Sequence, residues 1–209
     1  MLTKPRSTRL FGALTLALIC SAAAHVSAQE LTRPRNLVFS AERVFGFYLD
    51  KRNTEYDNGV DSDDDQTVIG IGWGPSQIGF LNTPRLGVDY FIDEHLTLGG
   101  NFGFASLSSE GFDTVGILLA GRVGYALRIT NEIAFWPRGG LTFAVFTGDG
   151  DSNVFGLTLD GMFSLAVAGG WSFLAGPVFD LGFVGSSGNA DYTEFLFGIM
   201  FGLEGHIEL

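Results

Sequence analysis

The chain has 209 residues, including 30 Gly and 20 Phe, and only 17% are charged, against about 25% in soluble globular chains. So much Gly combined with 13% aromatic residues excludes a disordered tail, a coiled coil and a long-helix protein. Twelve basic against 23 acidic residues give a net charge of -11, which speaks against nucleic acid as a partner.

Residues 1–28 read as a cleaved signal peptide. Lys4, Arg6 and Arg9 form a basic n-region, Leu10–Ile19 is a short apolar run, and Val26-Ser27-Ala28 is a small-residue cleavage site. The apolar run is too short to span a bilayer as a helix. Cleavage after Ala28 removes three basic residues and no acidic one, taking the net charge to -14. The remainder, 29–209, reads as one domain. The only cysteine, Cys20, lies in the leader, so the domain has neither disulfides nor thiolate metal sites.

From there the chain alternates with a period of two. Leu96, Leu98, Phe102 and Phe104 interleave with Thr97, Gly99, Asn101 and Gly103; Val115, Ile117, Leu119, Val123 and Tyr125 interleave with Gly116, Arg122 and Gly124. Such alternation is a strand signature. Eight segments follow the pattern: 37–50, 84–93, 95–107, 112–129, 132–147, 153–168, 171–185 and 192–208. Connections near 93–95, 130–132 and 169–170 are tight. Those at 51–83, 108–111, 148–152 and 186–191 are longer and polar, the arrangement of outer-membrane barrels. Within 51–83, Val68–Trp73 and Gln77–Leu81 read as a hairpin or extension of the first long loop, and a ten-stranded barrel stays open as the alternative. Gly161–Phe179 carries no charge over a helical membrane-span length, but Gly169-Gly170 and Gly176-Pro177 break a helix, so it reads as strand, turn and strand.

Each segment has one large apolar face and one small or polar face. The lumen of an eight-stranded barrel holds only what side chains fill, so the bulky set must face outward, into lipid. The inward phase then collects Glu42, Arg85, Asp89, Arg122, Arg138, Asp160, Asp180 and Glu204. Both signs in one lumen imply an ion-pair network, read first as a structural plug and second as a conduction or binding element. Arg43 falls on the apolar phase and marks either an interface position or a bulge. Tyr48, Trp73, Tyr90, Tyr125, Trp171 and Tyr192 are candidates for interfacial girdles, whereas Trp136 sits on the inward phase and fills the lumen.

With its leader, eight alternating segments and terminal strand Glu194–Leu209, the chain resembles small outer-membrane β-barrels of the OmpA/OmpX type over essentially its whole mature length. The resemblance implies a closed antiparallel transmembrane barrel in the bacterial outer membrane, surrounded by outer-membrane lipid and inserted by the barrel assembly machinery. In that family the last residue is typically Phe or Trp; here it is Leu209.

No catalytic motif appears, and no cofactor is expected. Related small barrels include lipid A-modifying enzymes that pair His with Ser or a carboxylate; here His206 with Glu204 and Glu208 is the nearest approach. The acidic run at Asp57, Asp61, Asp63 and Asp65 is read as a solvated loop tip, with a loop cation site as the alternative. The resulting expectation is a non-enzymatic structural or surface-interaction protein, with extracellular ligands met through 51–83, 148–152 and 186–191. The alternatives are porin-like passive transport, a lipid-modifying enzyme, and a soluble lipocalin-like carrier.

Overall fold

A computed structural model describes residues 32–56, 61–71, 81, 83–109, 112–148, 151–168, 170–187 and 190–209. The expected signal peptide 1–28, Asp57, Trp73 and all of the short strand expected at Gln77–Leu81 except Leu81 lie outside the described residues. The strands are β1 (Asn36–Tyr56), β2 (Asp61–Ile71), β3 (Arg85–Phe91), β4 (Leu96–Ser109), β5 (Phe112–Tyr125), β6 (Leu127–Arg128), β7 (Ile133–Gly148), β8 (Ser152–Ala168), β9 (Trp171–Ser187) and β10 (Ala190–Glu208). Every pairing is antiparallel, and β1 closes on β10.

Ten strands make eight staves. β2 pairs with β1 above Phe45 and β3 pairs with β1 below it, so the two share one interrupted stave. β5 and β6 both pair with β7 and are likewise one stave, broken at Ala126. Val68–Ile71 therefore does not enlarge the barrel to ten; it belongs to a hairpin with β1. Closure removes the edge strands, the condition under which a sheet can cross hydrocarbon. The apolar segment 161–179 is the end of β8, a turn and the start of β9.

Two expectations about the long-loop rim are corrected. Residues 51–56 continue β1, and 61–71 form β2, so much of the supposed first loop is wall. The other connections on that rim are also short, from Ser109 to Phe112, Gly148 to Ser152 and Ser187 to Ala190. Polar alternation continues beyond the apolar belt, and the hydrogen-bond ladder continues with it.

Side-chain orientation follows the alternation. Leu98, Phe104, Ile117, Leu119, Leu141, Phe173, Phe197 and Ile199 are all at least 46% exposed on the outer surface. Such an apolar belt is stable only against lipid. Replacement of Leu119 by Arg is expected to cost about 2–4 kcal/mol of folding free energy in vesicles, read by urea titration. Replacement of Ser106, which is exposed beyond the apolar part of β4, is expected to cost far less.

Tyr90, Tyr125 and Trp171 are exposed at the short-turn rim, as a girdle requires. Tyr48 and Tyr192 depart from that expectation: both occupy the inward phase and are buried in the lumen. In the turn before β4, the backbone N–H groups of Leu96 and His95 each donate to Asp93 Oδ1 at 2.7 Å. These bonds hold the Asp93 carboxyl below its ordinary value. His95 Nδ1 lies 2.9 Å from the Ala126 carbonyl, and its ring leans on Tyr125.

Candidate functional site

The lumen is filled in three layers. Nearest the short turns lie Val38, Phe91, Ala126, Ala134 and Trp136. Phe91 packs on Trp136 with ring centroids 5.6 Å apart, and Trp136 Nε1 donates to Thr97 Oγ1 at 3.2 Å. Toward the other rim the inward phase is apolar again, with Tyr48, Leu118, Phe146, Val154 and Leu196. A side chain at Gly116 would overlap the Phe146 ring, so the glycine makes room for that aromatic.

Charge occupies the layer between. Arg122 donates to both oxygens of Glu42, at 2.7 and 2.8 Å, and through Nε to Asp89 at 2.9 Å. Its Nη2 also pairs with Asp89. Arg138 donates to Glu42 at 2.7 Å and lies 3.8 Å from Asp89 and 3.6 Å from Asp160. Arg43 bridges Asp160, at 3.2 Å, to Asp180, whose Oδ1 accepts from it at 3.0 Å. Arg85 lies 3.6 Å from Asp180 and completes the chain.

Four guanidinium groups and four carboxylates thus connect across the lumen from β1, β3, β5, β7, β8 and β9. Each is almost fully buried, so every charge depends on its partners rather than on water. Glu204, expected in the same network, is held by a neutral group instead: Ser164 donates to its Oε1. Ser40 donates to Glu42 at 2.7 Å, and Thr142 and Thr158 hydroxyls meet at 2.6 Å.

Arg43, whose place on the apolar phase left an interface position or a bulge open, stands in a bulge. Between Ala41 and Phe45 the ladder to β10 shifts, three residues of β1 standing against Gly202 alone. Two residues have been inserted, which preserves the parity of the strand on either side while turning both Glu42 and Arg43 inward. Arg43 adopts φ 56°, the left-handed region that non-glycine residues seldom enter. The signal in the sequence was the charge itself on an apolar phase.

The network also holds a piece of main chain inside the barrel. The Leu81 carbonyl accepts from Arg43 at 2.5 Å and from Arg85 at 2.8 Å, and its N–H donates to Glu194 Oε1 at 3.2 Å. Leu81, Thr83 and Pro84 are buried, so the segment entering β3 runs through the lumen. Periodicity does not reveal this, because a short inward excursion has no repeat.

Of the remaining candidates, Asp61, Asp63 and Asp65 alternate along β2, at register positions opposite Glu55, Asn53 and Lys51. A strand spaces such positions about 6.6 Å apart rather than gathering them in a loop. His206 has its N–H on the Gly170 carbonyl at 3.2 Å. Its two acidic neighbours are engaged elsewhere, Glu204 with Ser164 and Glu208 with Arg33 at 3.2 Å. Among the described residues, no three His, Asp or Glu side chains converge as a metal site.

No family model matches the sequence, and no curated protein matches it. Solved structures do match in shape. The outer-membrane protein OprG of Pseudomonas aeruginosa aligns with a TM-score of 0.51 at 10% identity, covering 85% of this chain and 98% of that one. The outer-membrane protein AlkL aligns with a TM-score of 0.51 at 12% identity, covering 85% and 92%. Neisserial surface protein A aligns at 12% identity with a TM-score of 0.44, over 83% and 97%. Closure in eight staves, the apolar exterior and these two alignments above 0.5 give one result: the chain has the fold of the small outer-membrane β-barrels of the OmpA/OmpX type.

Proposed function

We propose that this chain resides in the bacterial outer membrane as a sealed barrel with a structural or surface-interaction role. The reading rests on the unbroken ion-pair chain from Asp89 to Arg85, which crosses the lumen with the Leu81 backbone docked against it. Eight strands leave an interior that side chains can fill, and here they fill it with apolar layers above and below the charges. On this reading the lipid around the belt is a constant partner, and the barrel assembly machinery handles the terminal strand β10. Contacts with other molecules fall to the polar wall and connections of the long-loop rim.

Reconstitution of the mature protein into planar bilayers tests the reading. The expected result is a flat current baseline while the same preparation gives a compact, heat-modifiable band in the outer-membrane fraction. Steady single-channel openings would replace it with passive transport. Recovery of the cleaved chain in the soluble periplasmic fraction would remove the membrane assignment.

A further inference from the structure

The barrel wall carries pockets that the sealed lumen does not explain, and one of them joins an apolar side to an acidic one. It lies on the wall near the long-loop rim, where β1, β9 and β10 meet, and is an open cleft of about 620 Å³, within the usual range for small-molecule sites. Its floor is apolar. A bulge in β9 shifts the ladders to both β8 and β10, so that Phe183 and Val184 both face outward, 43% and 60% exposed. Bulges commonly serve to re-aim side chains in this way. Phe155 stands edge-on to Phe183 with ring centroids 5.3 Å apart, so the floor of the pocket continues into the lipid-facing belt.

The opposite side of the pocket is acidic. Glu55 and Asp191 are directly opposed across β1 and β10, both are exposed, and both line it. Like charges at directly opposed positions destabilise a sheet, unless a cation lies between them. The described arginine beside them is turned away, since Arg52 stacks over the Tyr192 ring at 3.7 Å. Lys51 lies on the same face of β1 but four residues from Glu55, about 13 Å along a strand. Asn53 and Thr193, also opposed, supply neutral hydrogen-bonding groups next to the acidic pair.

We propose that this pocket binds a single-chain cationic amphiphile entering from the adjacent lipid leaflet, with its ammonium head between Glu55 and Asp191 and its alkyl chain on Phe183 and Val184. Aromatic faces attract ammonium groups, and the pocket opens where a head group would lie with its chain still in the belt. The site is separate from the ion-pair network and stands whether or not the lumen conducts.

The test is native mass spectrometry of the folded mature protein in an uncharged maltoside detergent, titrated with dodecyltrimethylammonium, dodecyl sulfate or tetramethylammonium. One equivalent of the long-chain cation is expected to be retained, at least tenfold more tightly than dodecyl sulfate, and tetramethylammonium alone is not. The double variant Glu55→Gln/Asp191→Asn, which alters only exposed side chains, is expected to lose at least tenfold in retention while keeping the compact band of the folded barrel. Added salt at about 0.5 M should weaken retention by the unaltered protein, a second readout that needs no variant. Equal retention of the sulfate, equal retention of the chainless cation, or indifference to both the double variant and salt would overturn the proposal.

Discussion

Replacement of Arg122 by alanine is expected to destabilise the barrel by about 3–5 kcal/mol, among the largest effects of any single substitution in this chain. Arg122 occupies both oxygens of Glu42 and both oxygens of Asp89, and all three side chains are almost fully buried. Its removal leaves Arg138 as the described cation within ion-pair distance of two carboxylates. The cost comes from stranded charge rather than from the value of the original pair. A double variant, Arg122→Leu with Asp89→Asn, removes one charge of each sign, leaves Glu42 paired with Arg138, and is expected to recover a large part of the loss. Equilibrium urea unfolding in vesicles reads both numbers. If Arg122→Ala costs less than about 1 kcal/mol, these groups are solvated and the lumen is not sealed.

Apart from Arg43, the charges gathered in the lumen were legible because they break no rule of alternation. Glu42, Arg85, Asp89, Arg122, Arg138, Asp160, Asp180 and Glu204 all stand on the small-residue phase of their strands, and phase is conserved along any strand without an odd insertion. Partner choice was not legible, because it depends on stagger between staves, as when Glu42 reaches Arg122 on β5 and Arg138 on β7. The bulge at Arg43 has no glycine to announce it. The sequence there reads Glu42-Arg43-Val44-Phe45, ordinary for a strand except in its charge.

The acidic stretch 61–65 misled for a different reason. Asp is depleted in strands, so four Asp in five residues read as a loop. In the structure the stretch pairs with β1, and its register sets Asp65 opposite Lys51 and Asp64 opposite Arg52. Opposite charges at opposed positions favour pairing where a propensity taken one residue at a time disfavours it. Tyr48 and Tyr192 show the same limit on a smaller scale. Closeness to a strand end suggested a girdle, but the face a residue occupies is set by phase, and both lie on the inward one.

Release of the main-chain segment held in the lumen should convert the sealed barrel into a conducting one. The segment is fixed at Leu81 by Arg43, Arg85 and Glu194. Arg43 reaches it only from a left-handed backbone conformation, whose cost of about 1–3 kcal/mol persists because the surrounding contacts over-determine it. Removing Arg43 therefore relaxes the strand while it deletes the clamp and empties volume at the centre of the lumen. In the paired variant Arg43→Ala/Asp160→Asn, one positive and one negative group disappear together, Arg85 keeps Asp180 and Arg138 keeps Glu42, so the remaining ion pairs stay balanced and the barrel is expected to fold. Planar-bilayer recordings should then change from a flat baseline to steady openings. A cysteine at position 81, in a barrel segment 29–209 that otherwise lacks thiols, reports the same event chemically: Leu81 is 1% exposed, and labelling by a membrane-impermeant reagent is expected to accelerate at least tenfold in the paired variant. Unchanged labelling together with a flat baseline would mean that the apolar layers at Trp136 and Phe146 seal the lumen unaided, with the charged layer serving stability alone.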